Sequence, residues 1–246
     1  MAKVILFLLL VGNLYAQYPT WIKDGLKIVA SFGAQDFKEG YGIVINEGLI
    51  LTSSSLVYEK DRAKDIVLYN SESLEEPITC LSHAQILALD DTLGLAILKA
   101  YNFTDIYCNV LPKPNFRLLH FKSKFFDILK KPVEISNAEG LMISYFLEQE
   151  WLNFGIEKIS WQDLQTILQE NKRNLLGMPL FVGNDFLGIL VQKREKQHLS
   201  LLKHQEILEF LCKINQNTAI LESMPTYKKT CDLIKISRDI SKNKVK

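Results

Sequence analysis

The sequence has almost no net charge and few of the residues that usually announce chemistry. Its 29 lysines and arginines stand against 28 aspartates and glutamates, a formal charge of +1. No bulk attraction to nucleic acid or anionic lipid follows from that balance. Histidine occurs four times, at His83, His120, His198 and His204, and cysteine four times, at Cys80, Cys108, Cys212 and Cys231. There is no Cys-x-x-Cys. A zinc site is therefore not expected, and neither a metal nor a cofactor is assigned. Long hydrophobic runs are also missing. The longest candidate, Val4–Val11, falls short of the ~20 apolar residues that cross a bilayer core. No internal repeat is visible.

What the sequence does contain begins with an export signal. Lys3 precedes the apolar run, Ala16 supplies a small residue, and polar Gln17 follows. That order is expected of a secretory signal peptide over residues 1–16, cleaved to release a periplasmic protein. Leu14, three residues before the cut, is bulkier than usual there. Four cysteines in an exported chain permit disulfides. They allow three pairings, and the sequence selects none. Buried free thiols, packed as small apolar groups, are the other reading.

An apolar fraction of 48% supports a sizeable core. Short apolar segments separated by turn residues suggest an all-β barrel or sandwich. Strands are expected at Lys27–Phe32, Asp65–Tyr69, Pro77–Leu81, Ala84–Leu89, Arg117–Phe121 and Leu141–Leu147. The lysine-rich stretch His120–Lys131 reads as a blunted strand edge. Ser160 and Asp163 mark a helix start, with Leu164, Ile167 and Leu168 at helical spacing. A second helix is expected over His198–Asn215, where Leu199, Leu202, Ile207, Leu208, Leu211 and Ile214 share one face. Residues 216–246 form a basic tail, expected to be a short helix or disordered. Its lysines offer a peripheral membrane or partner contact, against the simpler reading of a solvated tail.

The stretch around which the rest is arranged is Gly40–Val57, GYGIVINEGLILTSSSLV. Two apolar segments flank Asn46-Glu47-Gly48, which predicts a hairpin with a glycine-containing turn. Its second half, Gly48–Val57, resembles the strand that leads to the catalytic histidine in trypsin-like serine proteases of the HtrA/Deg group, where it reads G-Y-I-L-T-N-N-H-V-V. Here the histidine position holds Ser55. A second frame, Gly94-Leu95-Ala96-Ile97-Leu98-Lys99, is similar to T-D-L-A-V-L-K, with Gly94 at the aspartate position. Asp90 and Asp91 lie upstream, and a register slip would be needed to bring either into place. They read as solvated turn acids. A third frame, Asn174-Leu175-Leu176-Gly177-Met178-Pro179-Leu180, is similar to G-N-S-G-G-P-L, with Leu176 at the nucleophile position. Asn174 and Met178 replace two of its glycines.

The resemblance covers roughly residues 27–214. It implies a trypsin-like double six-stranded β-barrel with a C-terminal helix, residues 17–215; no PDZ-like second domain is recognised in the remaining length. It also implies that the chemistry has been lost. Peptide hydrolysis by such a triad needs a hydroxyl nucleophile, an imidazole base and a carboxylate that orients the base. Leucine has no nucleophilic atom, and an alcohol is no general base near neutral pH. The chain is thus expected to be a non-catalytic protease-fold protein that binds a protein or peptide partner. Inactive HtrA-like domains serve as scaffold parts of periplasmic assemblies, so a scaffold role is the analogy. The alternatives are a hydrolase with relocated residues, for example a serine among Ser53–Ser55, and a chaperone-like binder of exported unfolded chains.

Overall fold

The computed structural model describes residues 19–33, 35–46, 48–71, 77–112, 129, 133, 135, 140–149, 153–170, 173–196, 198–215 and 231–232. The expected signal peptide, the strand at Arg117–Phe121 and the lysine-rich edge lie outside the described residues, apart from Leu129. Nearly all of the basic tail lies outside them too.

A short 3-10 helix, Thr20–Asp24, leads into β1, Gly25–Ser31. Then come β2, Phe37–Asn46; β3, Leu49–Ser53; the one-turn helix α1, Ser54–Val57; and β4, Asp65–Asn70. β5, Thr79–Asp90, and β6, Leu95–Phe103, complete a closed antiparallel barrel in the order β1-β2-β3-β6-β5-β4. Closure comes from β1 pairing with both β2 and β4. Closure abolishes sheet edges and lets the inward side chains of all six strands fill one core. Leu26, Ile28, Ile50, Leu68 and Leu98 share the inward face and are completely buried there, while Ile43 and Leu51 are equally buried on the opposite face.

The second half is an antiparallel sheet in the order β11-β10-β9-β7-β8. Its strands are β7, Met142–Gln149; β8, Asn153–Ser160; β9, Pro179–Val182; β10, Asp185–Gln192; and β11, Leu199–Lys203. Helix α2, Trp161–Glu170, packs against β8 and β11, the two strands at the sheet's ends. Helix α3, His204–Asn215, follows β11. A six-stranded barrel, a second antiparallel β-structure and a C-terminal helix follow in the order that the double-barrel resemblance implies; of its second six-stranded barrel the described residues form one five-stranded sheet.

Several elements differ from expectation. The two strands expected at Pro77–Leu81 and Ala84–Leu89 are one, β5, with register shifts at His83/Ala84 and Ile86/Ala88 that interrupt its alternation. The helix expected over His198–Asn215 begins only at His204. Leu199–Lys203 instead pairs with β10, from Gln192↔Leu199 to Gly188↔Lys203. Residues spaced three apart, such as Leu199 and Leu202, suit a helix face and equally a strand buried on both sides. Strand β8 was not expected at all.

The cysteines pair as Cys80–Cys108 and Cys212–Cys231, with Cα–Cα distances of 5.1 and 5.4 Å, and none is free. The first staples the strand β5 to the loop after β6. The second ties Cys231, within the stretch expected to be a solvated tail, to α3, where both sulfurs are buried.

The halves meet along β2, β3, β7 and β10. Tyr41 of β2 packs edge-on to Phe146 of β7, with ring centroids 5.2 Å apart, and Phe146 continues to Phe154. Trp21 stacks on Phe181 at 4.1 Å and donates its indole N–H to the Gly183 carbonyl. The N-terminal 3-10 helix thereby binds to the second sheet before the chain enters the first barrel.

Candidate functional site: the seam cleft

Hairpin β2–β3 delivers Ser53, Ser54 and Ser55 to the seam. Its register, Gly42↔Thr52 through Val44↔Ile50, makes a rigid base, and α1 turns the chain immediately after Ser53. Ser53 is fully buried and acts as a hub. Its Oγ donates to the Gly94 carbonyl at 3.3 Å, accepts the Gln192 N–H at 3.3 Å, and lies 2.9 Å from Ser55 Oγ. Because the single Ser53 proton goes to Gly94, Ser55 is the donor in that last pair. The Ser54 N–H adds a 2.9 Å bond to the same Gly94 carbonyl.

Leu176 comes from the other half, on the turn between a 3-10 segment, Arg173–Leu175, and β9. Its carbonyl accepts the Tyr41 N–H at 2.8 Å, while Gly177 N–H donates to Leu190 and Met178 N–H to Leu175. Thr52 Oγ1 donates to the Tyr41 carbonyl at 2.6 Å. Gly177 sits at φ +77°, and a Cβ there would collide with the Tyr41 carbonyl. Only glycine lets the two halves approach so closely at this point.

Ser55 and Leu176 line one cleft of about 650 Å³. Gly94 does not line it, but stands behind Ser53 and Ser54 through its carbonyl. Gly94 has φ +78°, and a Cβ added to it would lie 2.8 Å from the Gln192 carbonyl oxygen. An aspartate at that position meets both an unfavourable backbone conformation and a backbone wall. Leu176 presents hydrocarbon and is 3% exposed.

Four cations, Lys38, Lys193, Arg194 and Lys196, and four acids, Asp36, Glu39, Glu59 and Asp91, surround this cleft. Lys38 reaches across it: its Nζ donates to the Ser55 carbonyl at 3.0 Å, pairs with Glu59 at 3.3 Å and lies over the Phe32 ring. None of the described histidines, His83, His198 and His204, lines the cleft. His83 Nδ1 is 2.8 Å from Asp65 Oδ1 between β4 and β5, outside the cleft. His204 opens α3, His198 is exposed, and His120 lies outside the described residues. Asp90 caps the turn before β6, accepting from Thr92 N–H and Oγ1 and from Leu93 N–H. Partial burial works to raise its carboxyl, but those bonds and nearby Lys213 outweigh it and hold the group below the usual range. Asp90 thus holds the turn before β6, as its sequence context suggested.

The hub role of Ser53 and the strap formed by Lys38 have no local sequence signal. Both depend on residues brought in from far along the chain. Among the described residues no group of three His, Cys, Asp or Glu side chains is placed to hold a metal.

No protein-family model and no curated protein matches the chain. Solved structures similar to it include the Rv3671c protease from M. tuberculosis in its active form, at a TM-score of 0.46 and 14% identity over 79% of this chain and 82% of that one. A serine endoprotease from Yersinia pestis gives 0.47 and 15%, over 80% of this chain and 64% of the other. The MamO protease domain from Magnetospirillum magneticum gives 0.45 and 13%, over 78% and 98%. These likenesses are distant, and the reading that follows rests on the seam geometry instead.

Proposed function

We propose that this protein is a non-catalytic member of the trypsin-like fold, an exported pseudoprotease that uses its seam as a binding or scaffold surface for a protein partner. The observation that carries this reading is the chemistry at the seam. The Ser55 hydroxyl is paired with another hydroxyl, that of Ser53, rather than with an imidazole or amine. A general base must reach the proton it removes, and a serine hydroxyl is far too weak a base. Across the cleft Leu176 supplies no nucleophile. Loss of even one triad member costs several powers of ten in rate.

The cleft's lining favours a specific partner over a chaperone-like role. Its rim carries eight charged side chains of both signs, whereas a groove for unfolded chains would be expected to present apolar surface. Charges of both signs set orientation and partner choice. The two disulfides suit an oxidising compartment and support export to the periplasm. The basic residues after Asn215 are proposed as a peripheral membrane contact, on their charge alone.

A fluorophosphonate probe tests the catalytic half of the reading. The protein should remain unlabelled under conditions that label a trypsin-like control. Labelling that disappears in Ser55→Ala would establish a hydrolase instead. Crosslinked capture from the periplasm tests the other half: one stoichiometric partner is expected, and a broad mixture of unfolded chains would favour the chaperone.

A further inference from the structure

Beside the cleft, where β2 meets β7, lies a smaller pocket of about 250 Å³ lined by Lys27, Glu39, Gly40, Tyr41, Glu148 and Asn174, with Leu147. Glu39 and Asn174 also line the main cleft, so the two spaces share a wall. Among the described residues the charged side chains lining the pocket are Lys27, Glu39 and Glu148, one cation and two anions, an excess of one negative charge among them.

The excess is concentrated at Glu148. Its Oε2 is 2.7 Å from Lys27 Nζ, and its side chain is 10% exposed. Its Oε1 is buried and has no hydrogen-bond partner among the described residues. Lys27 is also 3.4 Å from Glu39. The Tyr41 hydroxyl faces the Glu148 backbone N–H and is not a donor to Oε1 in this structure. Burial, then the Glu148 charge, push that phenol up to about 12, so it stays neutral. A buried carboxylate oxygen left without a donor is costly, and in native proteins such a group calls for a ligand, an ion or water. Among the described residues no set of three ligating side chains is placed to hold a metal ion.

We propose that this pocket takes one organic cation, a guanidinium or alkylammonium group, that donates to Glu148 Oε1 and neutralises the excess charge. Because the pocket adjoins the cleft, the group belongs to an arginine or lysine side chain of a peptide seated there. In that form the proposal rests on the binding role above. A free small amine has the same chemistry, and the test separates the two sources.

The probes are n-propylguanidinium and the isosteric neutral n-propylurea, titrated against the full chain by ligand-observed NMR. The expected result is at least a tenfold preference for the cation, abolished in Glu148→Gln and reduced several-fold in Glu39→Gln, with circular dichroism unchanged in each. Equal binding of the two probes overturns the proposal. So does a preference that survives Glu148→Gln, or an Oε1 satisfied by water alone with neither probe bound. If Glu148→Gln does not fold, the Glu39→Gln response decides, and no weakening there overturns the proposal. Blocked Gly-Arg-Gly and its citrulline analogue then give the source. Tighter binding of the arginyl peptide than of propylguanidinium, lost when Ser55→Trp fills the cleft, supports a peptide ligand. If the small cation binds and the peptide gains nothing, the pocket stands with a free amine as its ligand, and peptide binding in the cleft falls.

Discussion

At the residue scale, Gly94 bears most directly on the proposed absence of a triad. Its φ of +78° and the backbone of Gln192 behind it oppose a carboxylate side chain at this position. Gly94→Asp should destabilise by about 1–3 kcal/mol from backbone strain, measured by chemical denaturation. Restoring all three side chains together, Ser55→His with Gly94→Asp and Leu176→Ser, should still give no fluorophosphonate labelling. A loss under about 0.5 kcal/mol, ordinary for a surface substitution, would mean that the backbone had not closed this position. His204 gives a second residue-level expectation. Burial, then the neighbouring Lys203 charge, lower its pKa below 6.5 in the folded chain. Between the folded and unfolded values the unfolded chain holds the extra proton, so stability rises with pH across that window. The contribution is fully present above about pH 6.5 and is lost on acidification below it. Thermal melts from pH 7.5 to 5 should show that decline, and His204→Gln should flatten it.

At the scale of elements, α2 occupies the space between β8 and β11, and its start is set by a reciprocal cap. Asp163 N–H donates to Ser160 Oγ at 3.1 Å, while Asp163 Oδ2 accepts from the Ser160 N–H and hydroxyl. Ser160→Ala should cost about 1 kcal/mol, read as a lower denaturation midpoint. An unchanged midpoint would show that packing of Leu164 against the sheet, not the cap, fixes this helix. This cap was legible in the sequence, because a capping residue and its acidic partner lie three positions apart. So was the β2–β3 hairpin, whose apolar runs flank a glycine turn. β8 was not legible: NFGIEKIS has a glycine in its middle, and its pairing with β7 from Gln149↔Asn153 to Met142↔Ser160 is a tertiary fact. β11 was misread because its leucines satisfy two periods at once, and only β10 alongside decides between them. The same limit applied at the site. The motif frames named Ser55, Gly94 and Leu176, but Lys38 across the cleft and Ser53 as hub arise from contacts spanning 17 to 139 residues.

At the scale of the whole molecule, the question is what holds the barrel to the second sheet beside the apolar seam of Tyr41, Phe146 and Phe154. Lys27 of β1 is 3% exposed and bonds to Glu148 of β7 at 2.7 Å, so a largely buried charge pair crosses the join. Such a pair is a weak source of net stability, because two desolvation penalties oppose its attraction. It is nevertheless hard to break. Lys27→Met should cost about 3–5 kcal/mol, since Glu148 is then left charged, buried and without its cation. Lys38 provides the contrast. Its partner Glu59 is 54% exposed, and Lys38→Ala should change stability by no more than about 1 kcal/mol through that pair. The double variant Lys27→Met with Glu148→Leu removes both charges, and should recover most of the loss in a denaturant titration. If Lys27→Met is as mild as Lys38→Ala, water or a counter-charge reaches Glu148, and the join is not dry. If the double variant is as unstable as the single one, the loss lies in packing and geometry at the seam and not in the uncompensated carboxylate.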